Sequence, residues 1–142
     1  MNKILLVEDE IKTAEMLRDA LNEEGIDVDW VTNGVDALSR IKPGSYDLII
    51  LDLKLPGMSG DEILEALRAI DSYVDVVVYT NYQDPPVMQK LINLGVDGYI
   101  SKGASADLWG TVDKIKKLLD PLSEEERETL LSQVPSDLFK NI

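Results

Sequence analysis

Side chains suited to metal and phosphoryl chemistry follow short strand-like runs at four points of the chain. They are Glu8 and Asp9 after ILLV, Asp52 after LIIL, Thr80 after VVVY and Lys102 after GYIS. Three carboxylates brought together cannot all stay ionised unless a cation joins them. Oxygen ligands without His or Cys favour a hard ion such as Mg²⁺. Beside such an ion, Asp52 can act as a nucleophile that forms an acyl phosphate, with Lys102 and Thr80 contacting the phosphoryl oxygens.

Composition excludes several other kinds of chemistry. The 142 residues include no Cys and no His, which removes thiolate zinc sites, cysteine nucleophiles and Ser-His-Asp triads. The net charge of −13 disfavours binding to nucleic acid by this chain alone. The longest apolar runs have four residues, far short of the roughly 20 that cross a bilayer. We therefore expect a soluble, cytoplasmic protein that neither enters a membrane nor binds nucleic acid.

Strand and helix patterns alternate along the chain and must position these side chains. Strands are predicted at 3–7, 26–31, 47–52, 75–80 and 98–101. In the second of these, apolar residues alternate with Asp27 and Asp29, which indicates an edge strand with one wet face. LIIL and VVVY are apolar throughout, as strands covered on both faces must be.

Five apolar stripes at helical spacing separate and follow the strands. Their residues are Ile11, Ala14, Leu17, Leu21; Val35, Leu38, Ile41; Ile63, Leu64, Leu67, Ile70; Val87, Leu91, Leu94; and Leu108, Val112, Ile115, Leu119, with Ser105 as a candidate cap of the last. This order predicts an α/β protein: a (βα)5 fold with a doubly wound, five-stranded parallel sheet and helices on both faces. Ligands bind such sheets beyond the carboxyl ends of the strands, where the five singled-out side chains lie.

These residues and their positions resemble the receiver domains of response regulators in two-component phosphorelays, which are CheY-like. The resemblance covers about residues 2–119 and implies a flavodoxin-like strand order of 2-1-3-4-5. The segment LKLPGMSG at 53–60 is similar to the family's loop, with Pro56 and Gly60 in their usual places. We predict a receiver domain at 2–119 and a C-terminal helical tail or linker stub at 120–142.

The resemblance implies a role for each singled-out residue. Asp52 is the phospho-accepting residue; Glu8, Asp9, Asp52 and the backbone carbonyl of Lys54 hold Mg²⁺; Thr80 and Lys102 contact the phosphoryl group; and Thr80 and Tyr99 form the switch. By the same resemblance a sensor histidine kinase or phosphotransfer protein donates the phosphoryl group, and the surface of the fourth helix, fifth strand and fifth helix changes its affinity for an output protein. Homodimers through that surface are possible in the family. Catalysis is expected to extend to self-phosphorylation and auto-dephosphorylation, and not to metabolic turnover.

Three features depart from the family pattern or stay outside it. Gly103 stands where many receivers have Pro, and Asn81 follows Thr80 where Gly or Ala is usual. From Asn81 and the side chain of Lys54 we hypothesise a slowed loss of phosphate, because attacking water has less room. Trp30 and Trp109 match no family role and are interpreted as packing residues.

After Pro121 the sequence predicts one short acidic helix, opened by Ser123 in a capping-box pattern. The simpler interpretation is a solvent-exposed tail helix. The alternative is that Leu130, Leu131 and Phe139 dock on the receiver domain or on a partner protein. Alternative functions are a receiver fragment of a larger transcription factor or hybrid kinase, a phosphorelay intermediate, and a receiver that binds partners without phosphorylation. A haloacid-dehalogenase-type phosphatase is disfavoured, since Asp52-Leu53-Lys54 lacks the second Asp of that family's Asp-x-Asp.

Overall fold

A computed structural model describes residues 2–81, 84–102, 108–120 and 124–134. The elements alternate along the chain as β1 (Lys3–Val7), α1 (Ile11–Glu23), β2 (Asp27–Val31), α2 (Gly34–Arg40), β3 (Leu48–Leu51), α3 (Gly60–Ile70), β4 (Asp75–Thr80), α4 (Pro85–Asn93), β5 (Gly98–Ser101), α5 (Leu108–Leu119) and α6 (Glu124–Ser132). The five strands are parallel and lie in the order β2-β1-β3-β4-β5. The predicted fold class and strand order are therefore confirmed.

The sheet separates two apolar cores, one on each face. Alternate residues of β1, β3 and β4 point to opposite sides: Leu5, Ile49 and Val76 pack with α2, α3 and α4, whereas Ile4 and Ile50 pack with α1 and α5. All four residues of β3 are buried, as a strand covered on both faces requires. This double cover fixes the central strands and hence the side chains at their ends.

β2 lies at the edge of the sheet, as its alternating pattern predicted. It begins at Asp27 and not at Ile26, because the Ile26 N–H donates to the carbonyl of Leu21 in α1 and closes that helix. Gly25 makes the turn between them at φ +79°, a left-handed conformation that suits glycine.

Two sequence interpretations are wrong in detail. Val35 is 68% exposed, because the Asn33 side chain caps α2 and sets its phase so that Gly34 and Ala37 face inward. Gly34 lies so close to Ile63 that a Cβ there would meet its side chain at 2.7 Å, which explains how α2 packs on α3. Trp109, interpreted as a packing residue, is 52% exposed on α5.

The predicted tail helix is present as α6, and its apolar residues are in large part exposed. Leu130 and Leu131 are 49% and 51% exposed, and Arg127 pairs with Asp120. Ser105, Ser123 and Phe139 lie outside the described residues, so their predicted roles stay predictions, as does the domain boundary at 119/120. None of the described helices is long and apolar enough to span a bilayer.

Candidate functional site

The parallel sheet delivers the singled-out side chains to one edge. The ladder continues one residue past three strand ends: the Glu8 N–H donates to Val31 O at 3.0 Å, the Asp52 N–H to Val7 O at 3.1 Å and the Lys102 N–H to Thr80 O at 3.0 Å. The backbone at Glu8, Asp52 and Lys102 is therefore as fixed as the sheet itself. Since β1 and β3 are neighbours, their two carboxylates lie side by side.

Lys102 joins the two buried carboxylates. Its Nζ donates to Glu8 Oε1 and Oε2 at 2.7 and 2.6 Å and to Asp52 Oδ2 at 3.0 Å. The side chains of Glu8, Asp52 and Lys102 are 1%, 8% and 8% exposed, so these charges interact with little screening by water. The structure thus brings together residues that are 94 and 50 positions apart in sequence.

The acid cluster fits a hard divalent cation. Glu8, Asp9 and Asp52 each offer a carboxylate oxygen, and these oxygens all lie within 4.8 Å of one another. Glu8 and Asp52 are buried and Asp9 is exposed, so the cluster opens to solvent on the side of Asp9. The donors are oxygens and the ammonium of Lys102 leaves an excess of negative charge, which is the environment that Mg²⁺ prefers.

The pKa values reflect the burial of these groups first and the excess charge second. Burial raises the pKa of Glu8 from 4.5 to about 7; the bond to Lys102 opposes the rise and the neighbouring Asp52 carboxylate adds to it. Burial alone would lower the pKa of Lys102, but its bonds to Glu8 and Asp52 raise it above its ordinary value. The ammonium therefore stays charged, and it lies 5.3 Å from the centroid of the Tyr79 ring.

The other predicted residues surround this cluster. Thr80 is buried at the end of β4, and the next residue, Asn81, is exposed. Lys54 has an exposed side chain, and its backbone N–H lies 3.4 Å from Asp52 Oδ1. Tyr99 is half-buried in β5, packs against the core on the α2–α4 face, and has its pKa raised by burial.

The loop after Asp52 is held by a close approach at Gly60. The Gly60 N–H donates to Leu53 O at 3.0 Å, and a Cβ at Gly60 would lie 2.7 Å from the Leu53 Cα and 3.0 Å from Asp52 O. Only glycine fits without a shift of the backbone next to Asp52. The same loop and α4 border an open cleft of about 610 Å³ that includes Lys54, Asp61 and Val87.

One residue of the site was missed in the sequence. The indole N–H of Trp30 donates to the backbone carbonyl of Glu8 at 2.8 Å. An aromatic donor on a strand predicted to pair with β1 was the available signal. Its target depends on how the side chain turns, which the sequence pattern does not encode.

A comparison with protein-family models identifies the family to which this chain belongs. Residues 4–112 match the family model of the response regulator receiver domain. The chain belongs to this family. The assignment confirms the resemblance drawn from the site residues, and it favours a phospho-accepting switch over a phosphatase.

Individual receiver proteins are similar over most of this chain. The transcriptional activator protein IrlR of Burkholderia pseudomallei is 44% identical over 100 residues, which are 70% of this chain and 43% of IrlR. Sporulation initiation phosphotransferase F of Bacillus subtilis is 33% identical over 117 residues, covering 82% of this chain and 93% of that protein. The crystal structure of response regulator TrrA from Thermotoga maritima, in complex with Mg²⁺-BeF, is 34% identical with a TM-score of 0.71 and covers 83% of this chain and 99% of TrrA.

The match thus places the chain among the receiver domains of two-component response regulators. This chain spans less than half the length of IrlR, so it corresponds to one part of such a regulator. It corresponds to nearly all of phosphotransferase F.

Proposed function

We propose that Asp52 accepts a phosphoryl group from the phosphohistidine of a sensor histidine kinase or phosphotransfer protein, and that the acyl phosphate switches binding to an output protein. One observation carries the proposal: the buried Asp52 carboxylate is held by Lys102 beside Glu8 and Asp9 at the carboxyl end of the central strand. Among the acids that the structure describes, only Glu8 and Asp52 are both buried and paired with an ammonium group.

The contacts of Asp52 support different tasks for its two oxygens. Oδ2 accepts a hydrogen bond from Lys102 at 3.0 Å, whereas Oδ1 accepts a longer one from the Lys54 N–H at 3.4 Å. Oδ1 is thus the more weakly held of the two oxygens in these bonds and the one that would attack phosphorus. The new O–P bond replaces the P–N bond of the phosphohistidine, and the imidazole leaves with the electron pair.

Lys102 and the acid cluster handle the charge of this reaction. Lys102 remains an ammonium and balances the negative charge that the phosphoryl group brings. Glu8, Asp9, Asp52 and the backbone carbonyl of Lys54 would hold Mg²⁺, which neutralises phosphoryl oxygens when it is bound. The Mg²⁺-BeF complex of the similar TrrA supports this cofactor.

The switch follows from Thr80 and Tyr99. Thr80 would donate its hydroxyl to a phosphoryl oxygen, and Tyr99 on the adjacent strand would turn further inward as β4 adjusts. On the face of the sheet against which Tyr99 packs, Ile92 of α4 is 65% exposed and offers apolar area to an output protein or to a second copy of the chain. The proposed reaction takes place in the cytoplasm, where ATP charges the kinase.

Two settings for this switch stay open. The similarity to IrlR favours a receiver that controls an attached output domain in a larger transcription factor. The near-complete match to phosphotransferase F favours a phosphorelay intermediate that passes the phosphoryl group on. Incubating the phosphorylated chain with a histidine phosphotransfer protein separates them, because only an intermediate passes its phosphoryl group to that protein rapidly.

The proposal is tested by intact mass after incubation with acetyl phosphate, with Mg²⁺ or with EDTA. We expect one added phosphoryl group that requires Mg²⁺ and is lost in Asp52→Asn. Asp47→Asn, the same change at the opposite end of the sheet, is the matched control and should still be modified. Addition to Asp52→Asn would contradict the assignment of the acceptor, and addition in EDTA would contradict the role of Mg²⁺.

A further inference from the structure

Both polar backbone groups of Glu8 are held by the edge strand β2. Its N–H donates to Val31 O at 3.0 Å as a continuation of the sheet. Its carbonyl accepts the indole N–H of Trp30 at 2.8 Å, a bond made by a side chain where the sheet has ended. Trp30 itself pairs with Leu6 in the register of β1 and β2, so its ring reaches two residues along β1 to make this contact.

The bond to the Glu8 carbonyl fixes the peptide that joins Glu8 to Asp9. A peptide unit is planar, so the direction of its C=O also sets the direction of the following N and Cα. Asp9 is the exposed member of the acid cluster, and its carboxylate depends on this backbone for its position. Glu8 differs, because its carboxylate is buried and bonded to Lys102.

The Trp30 ring is itself held in place. It is half-buried against the core on the α1 and α5 face, and the guanidinium of Arg18 in α1 lies 5.7 Å from its centroid. A donor on a ring packed in this way is oriented before any ligand arrives, which lowers the entropy lost on binding.

We propose that Trp30 is a positioning residue for the Mg²⁺ site: its indole N–H orients the Glu8–Asp9 peptide and thereby aims the Asp9 carboxylate at the space beside Asp52. This inference rests on the proposed function, since it assumes that the acid cluster takes the ion. Groups that orient metal ligands typically change metal affinity by 10- to 100-fold when they are lost.

The test uses Trp30→Phe, which keeps an aromatic ring and removes the donor. Mg²⁺ is titrated into wild type, Trp30→Phe and the matched control Trp109→Phe, below the temperature at which any of them unfolds. The dissociation constant of Trp30→Phe should rise about tenfold, and that of Trp109→Phe should stay within about twofold, a change of less than half a kcal/mol. Unfolding midpoints in EDTA are recorded in parallel, because a purely structural Trp30 would change the midpoint and leave the affinity unaltered.

A second measurement does not depend on the variant folding. The chain has two Trp residues, so an amide-nitrogen correlation spectrum of wild type shows two indole signals. Mg²⁺ should shift the Trp30 signal and leave that of Trp109 in place. Binding of Mg²⁺ with a stationary Trp30 signal or an unchanged affinity in Trp30→Phe overturns this inference alone; a wild-type chain that does not bind Mg²⁺ overturns the metal part of the proposed function as well.

Discussion

Carboxylates lie at both ends of the sheet, and the groups that donate hydrogen bonds to them differ between the two ends. At the amino ends of the strands, Asp47 accepts the N–H of Lys3 at 2.7 Å and Asp97 accepts the N–H of Val76 at 2.8 Å. Asp71 takes three backbone N–H groups, from Gly44, Tyr73 and Val74, at 3.1–3.2 Å. These acids cap the starts of strands and the turns that precede them, so they stabilise the fold.

At the carboxyl ends, backbone donors are farther away. Glu8 and Asp52 lie 3.3 and 3.4 Å from the N–H groups of Glu10 and Lys54, and they share the ammonium of Lys102. Their buried charge exceeds what Lys102 balances, and the pKa of Glu8 is raised to about 7. Acidic residues thus serve two purposes in this fold. The capped acids, Asp47, Asp71 and Asp97, stabilise it through hydrogen bonds, whereas the crowded acids, Glu8 and Asp52, repel each other, and a bound cation relieves this repulsion.

The largest effect should follow from removing the cation at the crowded end. Lys102→Met leaves Glu8 and Asp52 buried without a counter-charge, and we expect the free energy of unfolding at pH 8 to fall by about 3 kcal/mol. Urea unfolding in EDTA measures this loss. Lys116→Met is the control, because Lys116 pairs with Glu24 at 48% side-chain exposure and should lose less than about 1 kcal/mol. Equal losses in the two variants would mean that the cluster is not electrostatically strained.

The same chemical change at the two ends should have opposite signs. Asp71→Asn weakens charge-assisted bonds to three backbone N–H groups and should lower the free energy of unfolding by about 2 kcal/mol. Asp52→Asn relieves repulsion with Glu8 and should raise it by about 1 kcal/mol in EDTA, roughly the worth of one pKa unit. Both values come from the urea unfolding experiment above. A loss of stability in Asp52→Asn would remove the distinction between capped and crowded acids.

The sequence predicted the positions of the crowded acids at the carboxyl ends of the strands better than the contacts of the capped acids at the amino ends. Glu8, Asp52 and Lys102 each follow a strand-like run, and parallel strands bring such positions to one edge whatever the side chains do. The caps of Asp47, Asp71 and Asp97 depend on local loop geometry, which carries no periodic signal. The bond from Trp30 to Glu8 was missed for a related reason, because it depends on a rotamer and not on spacing.

The fold itself was predictable where the pattern was strong. β1, β4 and β5 have the predicted bounds, since apolar runs end abruptly at each of them. In the short helix α2 the predicted inward face was wrong at its first residue alone, because the cap at Asn33 sets the start of the helix, whereas Leu38 and Ile41 pack on the core as predicted. Val35 became a surface residue for that reason.

The next largest effect concerns the pH dependence of stability, which should differ between the acids at the two ends of the sheet. The pKa of Glu8 is about 7 in the folded chain against 4.5 as an ordinary value, so the folded state binds the extra proton between these limits. Stability from this group is fully present below pH 4.5 and is lost as the pH rises to about 7. Glu8→Gln should flatten the slope of the free energy of unfolding against pH in EDTA, and Glu24→Gln, on the surface, should retain it. If Glu8→Gln kept the wild-type slope between pH 4.5 and about 7, a group other than Glu8 would titrate in that range.

At the amino ends of the strands the pH dependence should have the opposite sign. Burial would raise the pKa of Asp71, but its backbone N–H bonds hold the pKa below its ordinary value, so the stability contributed by Asp71 is present above pH 3.8 and lost on further acidification.

The smallest effect concerns the lifetime of the acyl phosphate. Asn81 is exposed directly after the buried Thr80, and we expect its side chain to narrow the approach of water to the proposed phosphoryl group on Asp52. Asn81→Ala should speed loss of phosphate about threefold, which corresponds to well under 1.4 kcal/mol of barrier. The rate is measured by intact mass after acetyl phosphate is removed, with Asn22→Ala in α1 as the control for the same substitution elsewhere. Because a lifetime depends on the few side chains around the phosphoryl group, only the crowded end should control it; indistinguishable decay in wild type and Asn81→Ala would mean that water reaches the phosphoryl group by another side.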